Sequence, residues 1–553
     1  MTRYRRIALI GFSGTGKTTT SRILADRLEW EMVDLDVELE NEYGKSIPEI
    51  FADEGEAAFR ASERRHLERA LARDGIVIST GGGAPAFDEV WSGDLLGHPE
   101  TLTVTLDARP ETIHARLVAQ QIREGNTFAR PMLAGDDPIG RIETLKSARL
   151  GYYDRSAVTF PVDRIAAVDV AIAIRSLLER DGDPAPSVHL EATSGLSEIY
   201  IDSGIRHTAG SLIRTRWPKA RSVWIVSDEH VDAVHGDEVA GILEASGLRV
   251  GRAVVPPGET SKSLVGAEKL YDQLLENRIE RSDLVLALGG GVVGDLAGFI
   301  AATVLRGVGF VQMPTSLLAM VDSSVGGKTG INHPAGKNLI GAFYQPPLVV
   351  IDPDFLQTLP PRELQQGWAE VIKHAIIQPS TPSGEAADLE DFLVRNRRQL
   401  LELRNPALSY ALRRNVELKS RVVEADERES GVRAYLNFGH TVGHAIEASD
   451  YRHMHGEAIA IGMHAACRLS ELDGRVPERR GDDIAALLRS YGLPTTGAFD
   501  PGRVADLIGS DKKRVSGQTS WVLLEPRGGV SISRDVSASH VSEAIDRVHV
   551  AGK

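Results

Sequence analysis

Short apolar runs recur along the chain, and most of them end in glycine or an acidic residue. "RRIALIGFSG" passes from an unbroken apolar stretch to small residues, and "TGKTTTSRILADRL" follows. That order reads as strand, loop, helix. "GIVISTGGGA" is a buried strand opening into three glycines. Further on, "SVWIVSD", "DLVLALGGG", "GFVQMPT" and "LVVID" alternate with helical segments, the pattern of a mostly parallel sheet. From about Pro361 the chain becomes mainly helical, through "RELQQGWAEVIKHAII", "YALRRNVELKSRVVEADE" and "GEAIAIGMHAACRLSEL". "TSWVLLEPRGGVSIS" reads as a strand pair turning at Gly528 and Gly529.

The clearest break in the pattern is "LERDGDPAPSVHLEATSGLSE", Leu178 to Glu198, which carries Pro184 and Pro186 and reads as a linker. A chain of 553 residues is too long for one core. The expected fold class is α/β, with a helical domain at the C-terminal end. Residues 1–178 form a P-loop domain, 179–197 a linker, 198–360 a nucleotide-binding α/β domain and 361–553 a mainly helical domain. Composition is that of a globular protein, 42% hydrophobic and 25% charged. The net charge of -14 argues against a general nucleic-acid binder. The longest apolar candidate for a membrane span, "LVLALGGGVVGDLAGFIAATVL", is broken by glycines and Asp295. The apolar part of "MTRYRRIALIGFSG" is too short for a signal peptide. The single cysteine, Cys467, allows no disulfide within the chain, fits a reducing cytoplasm, and reads as a small core residue.

The first candidate chemistry lies in the first domain. Gly11, Gly16, Lys17 and Thr18 stand at G-x-x-x-x-G-K-[ST] spacing, with Gly14 between them. Such glycines let backbone N–H groups wrap phosphates, and the helix starting near Lys17 points its positive dipole end at them. The lysine neutralises the outer phosphates and the threonine hydroxyl ligates magnesium. In "MVDLDVELE", Asp34 and Asp36 alternate along an extended segment. One suits the magnesium shell and the other suits accepting a hydroxyl proton; a surface acidic pair is the bland alternative. Arg60 lies on a helix in "FRASE", Gly81 to Gly83 expose N–H groups toward an anion, Arg123 and Arg130 fall in a lid-like stretch, and "KSARLGYYDRS" adds Arg149.

The second region offers a weaker glycine loop, Gly289 to Gly291 with Gly294 and Asp295. Glu259 and Lys262 suit a ribose hydroxyl and a phosphate. Arg306, Lys328 and Lys337 gather with Asp322, Asn332 and Asn338 around glycine-rich turns, which in an acidic chain suggests a small phosphorylated substrate, three solvated surface cations being the bland alternative. "NFGHTVGHAIEASDYRHMHGEAIA" holds four histidines. His440 and His455 are candidate metal ligands with Glu370 as the carboxylate, because a catalytic zinc site takes three protein ligands and an open position. His444 is either a fourth ligand or a proton carrier, and His453 reads as a plain loop residue. Satisfied core histidines remain the alternative for His440 and His444.

Over residues 1–178, "GFSGTGKTT", "DLD", "FRASE", "STGGG", "RPML" and "SARLGYY" together resemble shikimate kinase. The resemblance implies ATP and Mg2+ at Gly11, Gly14, Gly16, Lys17 and Thr18, with Asp34 near the metal. It implies shikimate at Asp36, Arg60, Gly82 and Arg149, and Arg130 closing over the phosphates. Catalysis then falls to Lys17, Asp36 and Arg130. From about Ser194 onward, "PGETSK", "LGGGVVGDLAGF", "RGVGFVQMPTSLLAMVDSSVGGKTGIN", "GKNLIGAFYQP", "LPPRELQQGWAEVIKH", "ADERESGVRAYLNFGHTVGHAIE" and "HGEAIAIGM" resemble 3-dehydroquinate synthase. That family's fold is a Rossmann-like α/β domain plus a helical metal-binding domain. It implies NAD at Asp228, Glu259, Lys262, Gly291, Asp295, Thr315, Ser316, Lys328, Lys337 and Thr358. It implies Zn2+ (or Co2+) on Glu370, His440 and His455. Substrate would meet Arg306, Asp322, Lys328, Asn338, Lys373, Lys419, Arg433, Asn437 and one or both of Lys512 and Lys513. Lys328, Lys373, Arg433 and His444 would carry the catalysis. His230 stands where the family more often has asparagine.

Both resemblances together imply a bifunctional shikimate-pathway enzyme. One half phosphorylates shikimate. The other converts 3-deoxy-arabino-heptulosonate 7-phosphate to 3-dehydroquinate plus phosphate, with NAD reduced and reoxidised in each turnover. A cytoplasmic homodimer through the synthase half is expected, with small-molecule substrates and neither nucleic-acid nor membrane partners. The competing readings are another sugar-phosphate cyclase or a metal-dependent polyol dehydrogenase, fused to a different small-molecule kinase or to a nucleotide-sensing module.

Overall fold

The computed structural model describes residues 4–123, 136–178, 185–384, 388–429, 431–450, 452–511 and 519–550. They form two compact units. One is Met1–Asp183 with Asp391–Tyr410; the other is Pro184–Glu390 with Ala411–Lys553.

The first unit is built on five parallel strands, β1 (Arg6–Ile10), β2 (Glu31–Asp34), β3 (Ile76–Ser79), β4 (Thr101–Asp107) and β5 (Val158–Pro161), in the order β2-β3-β1-β4-β5. Ile7 to Ile10 and Ile76 to Ile78 are fully buried, as strands covered on both faces require. Because the strands run parallel, the segments that follow β1, β2 and β3 collect at one edge of the sheet. These are the glycine loop, Asp34 to Asp36, and Gly81 to Gly83. Such a carboxyl edge is where open α/β sheets bind ligands.

The second unit carries β6 (Val188–Ala192), β7 (Gly195–Ile201), β8 (Ser222–Asp228), β9 (Arg249–Val255), β10 (Leu284–Gly289), β11 (Gly309–Pro314) and β14 (Leu348–Ile351) in one sheet. Its order is β6-β7-β14-β11-β10-β8-β9, antiparallel only at β6–β7. β12 (Lys328–His333) and β13 (Gly336–Phe343) form a separate hairpin. β15 (Trp521–Leu524) pairs with β16 (Val530–Ser533), and Gly528 and Gly529 supply the positive φ at the turn. The helical part begins with the buried helix Pro361–Ile377. Two further helices, His440–Asp450 and His455–Leu472, pack closely because glycines line their crossing. A Cβ on Gly462 would come within 2.1 Å of Gly439 O and 2.6 Å of Gly443 N. Among the described residues, no helix is long and apolar enough to cross a membrane.

Candidate active sites

In the first unit the loop after β1 is fixed by backbone geometry. Gly11, Gly14 and Gly16 take φ of 132°, 82° and 94°, a region that side chains with a Cβ rarely enter. A Cβ at Gly11 would also sit 2.3 Å from Leu106 O. The Lys17 ammonium is folded back into the loop, donating to Gly11 O at 2.9 Å and Phe12 O at 3.0 Å. The Thr18 hydroxyl donates to Asp34 Oδ2 at 2.7 Å, so hydroxyl and carboxylate, the pair that suits a magnesium shell, already adjoin. The other Asp34 oxygen accepts from Asp36 N at 3.1 Å and so caps the helix Leu35–Tyr43.

Around Gly81 to Gly83 three charged side chains converge. A Cβ at Gly81 would lie 2.5 Å from Glu63 Oε1 and 2.7 Å from Asp36 Oδ1. One at Gly83 would lie 2.6 Å from two Arg60 nitrogens. The glycines thus leave the space that these groups occupy. Arg60 pairs with Glu63 at 2.7 Å and faces the rings of Phe51, Phe59 and Phe87. Burial raises the Glu63 carboxyl even though Arg60 pulls it down. Arg149 donates to Gly82 O at 3.0 Å, and the Tyr153 hydroxyl donates to the same oxygen at 2.6 Å. A general base and two guanidinium groups on one glycine turn suit a small hydroxy acid.

In the second unit, Glu370 from the helix Pro361–Ile377 meets the first residues of two other helices, His440 and His455. Each Nε2 lies 3.6 Å from Glu370 Oε1. That oxygen is buried with no hydrogen-bond partner. Zinc bonds of about 2.1 Å at tetrahedral angles put ligand atoms about 3.4 Å apart, so this donor set fits such an ion and leaves one position for substrate. Burial would raise the Glu370 carboxyl, but Lys373, His440 and His455 outweigh it and hold it well below the carboxylate range. Burial, helped by Lys373, keeps His440 well below its usual value. The His444 ring stands 5.1 Å from the His440 ring and is likewise lowered by burial. Two other groupings could hold an ion, His444–Glu447–His455 and Asp322–Glu370–His374. The first includes the exposed His444, and the second shares Glu370 with the buried His374 and the half-buried Asp322.

Cations surround this centre. Lys373 is buried against Glu370 Oε2. Lys419, also buried, donates to Asp322 Oδ1 and Asp322 O at 2.5 Å. Burial would raise the Asp322 carboxyl, but Lys419 and Lys373 overcome this and lower it. Arg433 is 2% exposed and is held by Glu427 O and Gly326 O. Lys328 pairs with Glu429, whose other oxygen accepts from Asn437 at 2.6 Å. Lys262 joins Asp295 and Asn338, each at 2.5 Å, while Glu259 accepts from Asn332 at 2.8 Å. Asp228 caps the turn after β8 through His230 N and Val231 N, and Thr358 meets His235 at 2.7 Å. Thr315 donates its N–H to Gly289 O at 3.0 Å, which holds β11 to the glycine loop where a Cβ on Gly291 would come within 3.1 Å of Ser323 Oγ.

Lys337 pairs with Glu447 at 2.6 Å, beside His455, and Asn338 is joined to Lys262. Ser316 accepts from Ala319 N, and Arg306 is exposed with φ of 69°. Arg130, Lys512 and Lys513 lie outside the described residues. Sequence reasoning passed over Glu63, Glu429 and Glu447. Glu63 stands three residues beyond Arg60, and Glu447 three beyond His444, so helical spacing was a usable signal. Glu429 had none, since its partners lie 101 residues upstream and 8 downstream.

Family models match three stretches: shikimate kinase over residues 13–177, the 3-dehydroquinate synthase N-terminal part over 252–366, and its C-terminal part over 367–514. A 3-dehydroquinate synthase of Symbiobacterium thermophilum is 44% identical over 346 residues, 61% of this chain and 94% of that protein. The solved 2-epi-5-epi-valiolone synthase ValA of Streptomyces hygroscopicus, with NAD+ and Zn2+ bound, is 26% identical with a TM-score of 0.56, over 65% of this chain and 99% of that one. The shikimate kinase of Acinetobacter baumannii, solved with shikimate, is 32% identical over 32% of this chain and 92% of that one, with a TM-score of 0.28.

Proposed function

We propose a reaction for each unit from one premise: this chain belongs to the 3-dehydroquinate synthase family over its larger part and carries a shikimate kinase unit ahead of it. The chain is a bifunctional shikimate-pathway enzyme. The chemistry divides between residues 1–178 and 198–553, with NAD held mainly by 198–360 and metal by 361–553; the expected linker 179–197 is not linker throughout, since β6 and the start of β7 fall within it and pair in the second unit's sheet.

In the kinase unit, Arg60 and Arg149 grip the shikimate carboxylate, a task suited to two guanidinium forks. Asp36 takes the proton of the acceptor hydroxyl at a carboxylate oxygen. Lys17 exchanges its two carbonyl partners for phosphate oxygens of ATP, and Arg130 closes over them. Thr18 and Asp34 would hold Mg2+, which neutralises phosphate charge when bound.

In the synthase unit, Glu370, His440 and His455 would hold Zn2+ or Co2+. Bound in their sites, the metal would polarise substrate oxygens and NAD would take up one hydride and return it within the turnover. Arg433, Lys419, Asn437 and Lys328 hold the substrate's phosphate and carboxylate. Lys373 keeps Glu370 ionised. His444, exposed beside the His440 and His455 rings, carries a proton on a ring nitrogen as phosphate leaves 3-deoxy-arabino-heptulosonate 7-phosphate. Ring opening and an intramolecular aldol closure then give 3-dehydroquinate.

The observation that carries this reading is the unpartnered Glu370 oxygen between two imidazoles, with Lys373 on the carboxylate's other oxygen. The test is phosphate release from the heptulosonate phosphate, without ATP, with NAD and zinc. Release should stop on chelation and return with metal, and NADH should not accumulate. NADH building up with a simple polyol would replace the cyclase by a dehydrogenase. ADP formation dependent on shikimate tests the kinase. A homodimer through the synthase half, checked by light scattering, and a cytoplasmic location, supported by the single buried thiol Cys467, complete the proposal.

A further inference from the structure

Residues 391–410 lie inside the stretch that matches the synthase C-terminal family, yet they pack as part of the first unit. β5 is the last strand of that unit's sheet, so among the described residues one side of it has no strand neighbour. Asn396 takes that place. Its Oδ1 accepts from Thr159 N at 2.7 Å, its Nδ2 donates to Thr159 O at 2.8 Å, and both residues are buried. A planar amide offers the acceptor and the donor that a neighbouring strand would have supplied. Gln399 extends the seal, donating to Ser156 O at 3.0 Å and Asp154 O at 3.2 Å. Phe392, tilted, and Tyr410, edge-on, pack against Phe160 of β5, with ring centroids 6.1 and 5.2 Å away.

The contact reaches toward the chemistry through one carboxylate. Arg395 NH1 stands 2.9 Å from Asp107 Oδ2, and Lys146 holds Asp107 Oδ1 at 2.7 Å. Lys146 lies one turn before Arg149 on the helix Pro138–Tyr153. Leu106, the neighbour of Asp107 on β4, presses its carbonyl against Gly11 of the phosphate loop.

We propose that residues 391–410 are a working part of the kinase unit. Asn396 and Gln399 close the open edge of its sheet, and Arg395 acts through Asp107 as a positioning residue for the helix that presents Arg149. This rests on the kinase reading above. A segment of synthase sequence therefore sets how the kinase binds its acceptor.

The test uses the full chain with Asn396→Ala, Arg395→Ala and Arg395→Lys. Three readouts are taken: amide exchange at Thr159, kinase KM against kcat, and synthase phosphate release. Asn396→Ala should speed Thr159 exchange about tenfold or more. Arg395→Ala should raise the shikimate KM about three- to tenfold with kcat changed less than about twofold, and Arg395→Lys should recover most of the loss. Synthase turnover should stay level in all three. Unchanged exchange and KM would overturn the proposal, and so would both activities falling in parallel, which would mark a general folding role. A wild-type chain that phosphorylates no shikimate would instead sink the kinase reading, and Thr159 exchange would still decide the edge seal.

Discussion

At Gly83 a single hydrogen atom makes room for a guanidinium. Replacing it by a methyl group drives into the Arg60 nitrogens, 2.6 Å away, while Arg60 is already tied to Glu63. The side chain can swing aside, so the fold survives and the binding group is displaced. Gly83→Ala should therefore raise the shikimate KM about tenfold or more, with kcat falling less and the thermal midpoint barely moving. Steady-state kinetics beside a melting curve would check it; a large drop in midpoint with normal KM would contradict the packing argument. Much of this site was legible in sequence because phosphate loops, paired aspartates and glycine turns are contiguous. Glu63 and Glu447 showed only as helical spacing to Arg60 and His444, and Glu429 not at all, because it ties down Lys328 from 101 residues away.

The helices His440–Asp450 and His455–Leu472 each begin with a candidate metal ligand, and their separation is set by Gly439, Gly443 and Gly462. A methyl group at Gly462 meets backbone, not a movable side chain. Gly462→Ala should push the helices apart at a cost of about 1–3 kcal/mol and weaken metal retention. Chemical denaturation and metal content after dialysis would measure the two effects, and full metal loading at wild-type stability would refute it. The helical character of this region and the change near Pro361 were readable from periodicity. The attachment of residues 391–410 to the first unit was not. An apolar stripe such as "FLVRNRRQLL" announces that a face is buried but not against which sheet.

Among the described residues the two candidate centres share none, so Lys17→Ala should abolish shikimate phosphorylation alone and His440→Ala phosphate release alone. Parallel assays on each purified variant would show this, and loss of both activities in either folded variant would overturn it. Each unit also hides a strongly shifted weak acid among its described residues. Burial pushes Tyr153 up from 10.0 to about 12 and Cys467 up from 9.0 to about 12. Unfolded, these groups ionise between about pH 9 and 10, while folded they keep their protons to about 12. Their contribution is complete below pH 9 and is lost as pH rises toward 12. The denaturant midpoint should thus be lower at pH 10.5 than at pH 8, and equal midpoints would count against the burial argument.

The split of the first unit into 1–183 and 391–410 also has a consequence in time. Ribosomes add about 5–20 residues per second, so the last piece of that unit follows the rest by roughly 10–40 s. During that interval Thr159 waits on the nascent chain for Asn396, with its N–H and C=O open to water or to a chaperone.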